Sequence, residues 1–93
     1  MANVTKISSE EIKGIVNDAM ALKTCEPTDY AGYYSVAEKD EIDILLAVSK
    51  ILDDDGNDAF WVHVIYSDYT DADICERTPE ALTTLITNIV SRV

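Results

Sequence analysis

Two long apolar runs, separated by an acidic break that contains a glycine, constrain the fold of this chain more than any other feature. The first run covers residues 42–52, the break residues 53–58, and the second run residues 59–67. Gly56 supplies the positive φ that a tight hairpin turn needs, and aspartate and asparagine are common beside it. The pattern predicts a β-hairpin whose two strands supply much of the core.

Residues 42–52 fit both a strand and a helix. In a strand, Ile42, Ile44, Leu46 and Val48 share one face; in a helix an apolar stripe also forms, and leucine and alanine favour it. Three aspartates at the C-terminal end of a helix would oppose the helix dipole. The break also has the chemistry of a hairpin turn, so we expect a strand.

Helical spacing of apolar residues marks both ends of the chain. A helix is predicted over residues 9–23, opened by a capping box between Ser8 and Glu11. A second helix is predicted to follow Thr78, with Thr78 as N-cap and Pro79 at the first helical position. Residues 1–7 are expected to form a flexible arm.

The middle of the chain reads as an antiparallel sheet. Strands are predicted over residues 30–37 and 59–67, with a turn at 38–41, a bulge or close contact at Gly32 and a short fourth strand at 72–75. Ninety-three residues suit one domain. The sequence therefore predicts a single α+β domain over residues 1–93: a helix, a three- to four-stranded antiparallel sheet and a C-terminal helix, with both helices on one sheet face.

The negative charge is concentrated in one segment. The net charge is −11, and residues 40–76 hold eleven acids against the single base Lys50, so this segment carries −10. Such a surface repels nucleic acid and membranes and attracts basic proteins, many of which are built to hold nucleic acid. A basic nucleic-acid-binding protein is therefore the expected partner, with no direct contact to nucleic acid or membrane.

We predict that the partner contacts two acidic clusters at opposite ends of the strand at 59–67. At a rise of about 3.3 Å per residue these clusters would lie roughly 25–30 Å apart. Carboxylates spread over that length could replace phosphates in a groove lined by arginine and lysine. A solvated hairpin is the alternative explanation of the charge. The predicted contact residues are Asp53, Asp54, Asp55, Asp58, Asp68, Tyr69, Asp71, Asp73 and Glu76.

No catalytic or metal-binding signature stands out. His63 is the only histidine and has no evident catalytic partner, although pairing with Cys25 as a nucleophile is an alternative. If Gly56 took the sixth place of an EF-hand loop, Ile51 and Val62 would fall at carboxylate positions. We expect no enzyme activity, cofactor or metal site, with weak cation binding by the aspartates as the alternative to a solvated turn.

The compartment follows from the start of the chain and from the cysteines. The first 25 residues contain no apolar segment typical of a signal peptide, and no run has the length of a membrane span. We therefore expect a cytoplasmic protein. Cys25 and Cys75 are expected to be free thiols, with a disulfide between them as the alternative.

Size, charge and element order give the chain a likeness to a known class. A hairpin with Asp55-Gly56-Asn57 at its turn, the strand at 59–67 and an acidic turn before a helix resemble the small acidic proteins that phages use against host defence. These include anti-CRISPR proteins and anti-restriction proteins that mimic DNA. The resemblance implies that the partner is a CRISPR effector or a restriction nuclease in the host cytoplasm, and it transfers no individual functional residue.

A second hypothesis needs no mimicry of DNA. The outer face of the last helix is polar but uncharged, which suits contact with another protein. On this hypothesis the chain is an interaction module, such as an immunity protein, an antitoxin-like partner or a homodimeric accessory subunit. The uncharged face consists of Thr83, Thr87, Asn88 and Ser91.

Overall fold

A computed structural model describes residues 4–93 as one antiparallel sheet with two helices. The five strands follow their order in the chain across the sheet, from β1 to β5. The α+β class is therefore confirmed, with five strands in place of the predicted three or four. The elements are β1 (Val4–Lys6), α1 (Ser9–Met20), β2 (Tyr30–Lys39), β3 (Ile42–Leu52), β4 (Asp58–Ile65), β5 (Thr70–Glu76) and α2 (Pro79–Ser91).

The prediction of a flexible arm over residues 1–7 is wrong for the part that the structure describes. Residues 4–6 form β1 and pair with the end of β2, from Val4 opposite Lys39 to Lys6 opposite Ala37. Residues 1–3 lie outside the described range. Three residues are too few to show a period of two in the sequence, and this strand depends on the edge that β2 offers.

The hairpin at residues 42–65 is confirmed, and β3 is a strand. Its loop has five residues, 53–57, and is closed by the Asp53 backbone N–H, which donates to the Asn57 carbonyl oxygen at 2.8 Å. Gly56 has a φ of 81°, a backbone conformation that glycine adopts without steric cost. Leu52 and Asp58 are the last paired residues on either side of the loop.

The hairpin between β2 and β3 is tighter than predicted. Its loop is only Asp40 and Glu41, flanked by the pair Lys39 and Ile42. Both loop residues have positive φ, 54° and 68°, as a two-residue type I′ turn requires. Aspartate tolerates this conformation better than glutamate does. The sequence carried no glycine there, so a longer turn at residues 38–41 was predicted.

The first helix begins as predicted and ends earlier. Ser8 and Glu11 form the capping box in both directions. The helix ends at Met20, three residues before the predicted end. Lys50 of β3 explains this end, because its Nζ donates to the carbonyl oxygens of Met20 and Leu22 at 2.9 and 2.6 Å. A cation from the sheet thus satisfies carbonyl groups at the negative end of the helix dipole.

Both helices pack on one face of the sheet, where the main core lies. Alternate residues of the central strands point to this face, among them Leu46 of β3 and Phe60 of β4, which are fully buried. Ile15 of α1 and Ile86 of α2 belong to the same cluster. We call this side the helix face and the opposite side, which neither helix covers, the open face.

Candidate interaction surface

The acidic residues predicted to contact a partner lie along one border of the sheet. β5 is an edge strand, paired with β4 on one side only. In the register of this pair Ala59 is opposite Glu76, Val64 is opposite Asp71 and Ile65 is opposite Thr70. Asp71, Asp73 and Glu76 are exposed along this strand. We call β5 with the loops 53–57 and 66–69 and with Asp58 the acidic border.

The arrangement differs from the two separate clusters that the sequence predicted. Residues 70–76 form a full strand where a turn with a short strand at 72–75 was predicted. β5 runs back along β4, so Glu76 lies beside the loop that contains Asp55, and only Asp68 and Tyr69 lie at the far end. Asp71 and Asp73 fall between the two ends. The carboxylates therefore follow one edge of the sheet over about 25 Å, from the strand rise of ~3.3 Å per residue. Asp71 and Asp73 point to the helix face, and Glu76 points to the open face.

The loop of the β3–β4 hairpin uses one of its aspartates internally. Asp53 Oδ1 accepts hydrogen bonds from the backbone N–H groups of Asp55 and Asn57, at 2.9 and 2.8 Å. This Asx-type turn holds the loop in shape. Asp54 and Asp55 remain exposed at its tip. Asp53 thus orients the loop, and the two neighbouring carboxylates face solvent.

Two of the border carboxylates have a basic partner within the chain. Arg77 lies 3.4 Å from Asp58, and Arg92 lies 3.8 Å from Asp73. Arg77 is mainly a structural residue, because its guanidinium also donates to the carbonyl oxygen of Ile51 at 2.6 Å. In the range that the structure describes, no salt bridge forms at the other six predicted carboxylates. Most of the border charge is thus uncompensated.

Tyr69 lies at the far end of the border and stacks on a second tyrosine. The ring centroids of Tyr66 and Tyr69 are 4.4 Å apart with planes at 17°. The Tyr66 N–H donates to the Tyr69 carbonyl oxygen at 2.8 Å, which closes the loop between β4 and β5. Burial, and then the neighbouring Tyr69 and Asp71, raise the pKa of Tyr66. Tyr69 remains 54% exposed, so one face of the stacked pair is open to solvent.

The cysteines and the histidine do not form the nucleophile–base pair considered above. Cys25 Sγ lies 3.2 Å from the Arg77 guanidinium, whereas His63 Nδ1 lies 3.2 Å from the Tyr30 hydroxyl. No hydrogen bond joins Cys25 to His63 among residues 4–93. Both thiols are free. Burial, followed by the nearby Glu76 carboxylate, raises the pKa of Cys75 to about 11.

The outer face of α2 is polar, and some of its polar groups are already engaged in hydrogen bonds within the helix. Thr83 Oγ1 donates to the Pro79 carbonyl oxygen at 2.7 Å, and Ser91 Oγ donates to the Asn88 carbonyl oxygen at 2.8 Å. Thr87 and Asn88 are exposed. This face therefore offers fewer free polar groups than the sequence indicates.

Two further findings concern the whole of the described chain: a search for membrane-spanning helices and a comparison with known proteins. No helix in the described part of the chain has the length and apolar character needed to cross a bilayer. Comparison with known proteins gives no match to a family model, to a curated protein or to a solved structure.

Proposed function

We propose that this chain is an acidic protein-binding inhibitor that occupies a basic, nucleic-acid-binding surface of its target. The single observation that carries the proposal is the acidic border along one edge of the sheet. Eight carboxylates share one edge of the sheet: Asp53, Asp54, Asp55, Asp58, Asp68, Asp71, Asp73 and Glu76.

The charge density of the border supports substitution for a nucleic-acid strand. One strand of duplex DNA carries a charge every ~3.4 Å, which is about seven charges over 25 Å. The border holds eight carboxylates over the same length, of which two are ion-paired. A groove lined by arginine and lysine that encloses this edge on both faces would therefore meet a similar number of anions from either ligand. The target class that fits this chemistry is a nuclease such as a CRISPR effector or a restriction enzyme.

The position of the acids on an edge strand also favours a partner other than a second copy of the chain. Exposed edge strands invite pairing with other chains, and charged side chains oppose that pairing. Asp71 and Asp73 of β5 would repel the same residues of a second copy in an edge-to-edge dimer. The acids that face solvent therefore disfavour self-association and favour a partner of opposite charge.

Affinity capture from bacterial lysate tests the proposal. The immobilised protein should retain a nuclease or another nucleic-acid-binding protein at low salt and lose it at high salt, because the contacts are mainly ionic. Added duplex DNA or RNA should compete for the same protein. A partner that ignores both salt and nucleic acid would contradict inhibition by occupation of the nucleic-acid site and would favour the interaction-module hypothesis.

A further inference from the structure

The open face of the sheet is apolar and aromatic although neither helix covers it. Directly opposed residues of an antiparallel pair point to the same side, so the register gives the composition of this face. One row contains Tyr30, Ser49, Trp61 and Ile74. The next two rows contain Tyr33, Ala47, His63 and Ala72, and then Ser35, Leu45, Ile65 and Thr70.

Aromatic rings are held together at the centre of this face. The rings of Trp61 and His63 meet edge to face, with centroids 4.2 Å apart, and the ring of Tyr30 lies 5.6 Å from that of His63. Beneath them Ala47 and Ser49 of β3 are fully buried. The rings therefore cover the small residues of the central strand and form a fixed aromatic surface, which needs little ordering on contact with a partner.

Large apolar groups on the open face still reach solvent. Tyr33 is 62% exposed and Ile74 is 56% exposed, while Leu45, Trp61 and Ile65 are half-buried. At about 4.8 Å between strands and ~3.3 Å per residue, the apolar area measures about 15 by 20 Å, or roughly 300 Å². Apolar patches of this size on a monomer are often functional.

The charges around this face define what could cover it. Within residues 4–93, no lysine or arginine of a strand points to the open face: Lys6, Lys39 and Lys50 all lie on the helix face. Acids occupy both ends of the open face, with Glu38 opposite Asp43 at one end and Glu76 at the other. A surface with an apolar centre and an acidic rim complements an apolar centre with a basic rim.

We infer that the open face is a docking surface for a protein that presents apolar side chains surrounded by lysine or arginine. A second copy fits poorly, because the acidic rims would face each other and each chain carries −11. The apolar area alone is also smaller than the ~800 Å² per partner of a standard stable interface. The rim must therefore contribute favourably, which requires a basic partner.

This inference deepens the proposed function and takes the basic character of the partner from it. The acidic border lies at the β5 edge of the open face, and Ile74 and Glu76 belong to both. A target bound at the border would reach the aromatic centre across β5. The border would then supply attraction and orientation, and Tyr33 and Trp61 would supply the apolar contact typical of interface hot spots.

Trp61 is the only tryptophan in the chain and reports directly on this face. We would titrate the protein with three 18-residue helical peptides and follow tryptophan emission. The first peptide carries a leucine stripe flanked by lysines; the second replaces the leucines with glutamine, and the third replaces the lysines with glutamate. Only the first should shift Trp61 emission to shorter wavelength in a saturable way.

Charge-adding variants separate apolar docking from simple attraction. The double variant Tyr33→Glu, Ile74→Glu should raise the Kd of the leucine–lysine peptide at least tenfold, although its added charges would strengthen a purely ionic contact. The matched control Asn17→Glu, Thr84→Glu adds the same charge at exposed positions of α1 and α2 and should change the Kd less than twofold. Circular dichroism of all variants would confirm that the fold is intact.

Several results would overturn the inference. These are an unchanged Trp61 emission, equal binding of the glutamine or glutamate peptide, or equal effects of the two double variants. Dimerisation of the protein alone, with a Trp61 shift that follows its own concentration, would assign the face to a second copy. Peptide docking without capture of a nucleic-acid-binding protein would refute the proposed function and leave this inference standing. Capture of such a protein without peptide docking would refute this inference and leave the proposed function standing.

Discussion

Tyr34 shows how one side chain links the bulge in β2, the first helix and the dependence of stability on pH. Its hydroxyl donates to Asp18 Oδ2 of α1 at 2.8 Å. Ala31 and Gly32 together oppose Val48, which confirms the bulge predicted at Gly32. A Cβ on Gly32 would come within 3.2 Å of the Tyr34 ring. A larger residue at position 32 would therefore push the tyrosine ring away by a few tenths of an ångström.

Alkaline pH should weaken the fold through this tyrosine. Burial, and then the hydrogen bond and charge of Asp18, raise the pKa of Tyr34 to about 12 from an ordinary 10. The folded state favours the neutral phenol, so its contribution is complete below pH 10 and is lost as pH rises from 10 to 12. Urea unfolding of Tyr34→Phe at pH 8, 10 and 11 should show a shallower alkaline decline than the natural chain.

Tyr33→Phe is the matched control for this measurement, because Tyr33 is exposed and lies one residue away. It should leave the alkaline decline unchanged. The raised pKa values of Cys75 and Tyr66 should preserve part of the decline in every variant. Identical pH profiles for Tyr34→Phe and the natural chain would refute the assigned role of Tyr34.

The elements that could be predicted from the sequence are those with a local signal. The capping box of Ser8 and Glu11, the N-cap Thr78 and the glycine of the 53–57 loop each act over a few residues, and the structure has all three. What was missed depends on distant contacts. β1 exists because it pairs with β2, and the acids form one border because of the β4–β5 register.

The end of α1 illustrates this limit and gives a test at the scale of one element. Lys50→Met should remove two charge-assisted hydrogen bonds to carbonyl groups of the α1 end, at a cost of about 1–3 kcal/mol in the free energy of unfolding. Lys39→Met is the control, since Lys39 is exposed in the same sheet. Equal denaturant midpoints for the two variants would show that Lys50 does not hold the helix end.

In the two-residue turn at Asp40 and Glu41, a substitution should raise the stability of the fold. Glu41 has a φ of 68°, in a region where a glycine avoids a cost of about 1 kcal/mol. Glu41→Gly should therefore raise the thermal midpoint by several degrees. Glu38→Gly, within β2, should lower it, because glycine weakens the interior of a strand. A lower midpoint for Glu41→Gly would contradict the assigned turn conformation.

At the scale of the whole molecule, negative charge is gathered along one edge of the sheet. Lysines of the strands point to the helix face, while the β5 edge and the rim of the open face carry acids. Residues 40–76 hold −10 of the net −11, and folding gathers much of that charge along one side. The sequence shows how much charge this segment holds, and the strand register shows that these acids share one edge of the sheet.

The central claim is tested most directly with the target protein captured from lysate. Two triple variants of equal net charge would compete with DNA for binding to that target. Asp68→Asn, Asp71→Asn, Glu76→Gln neutralises part of the border, and Glu10→Gln, Glu26→Gln, Glu80→Gln neutralises three acids elsewhere; both triple variants carry −8. At roughly 0.5 kcal/mol per exposed contact, the border variant should compete with DNA about tenfold less well. The control should match the natural chain. Equal competition by both variants would show that total charge, and not the acidic border, determines binding.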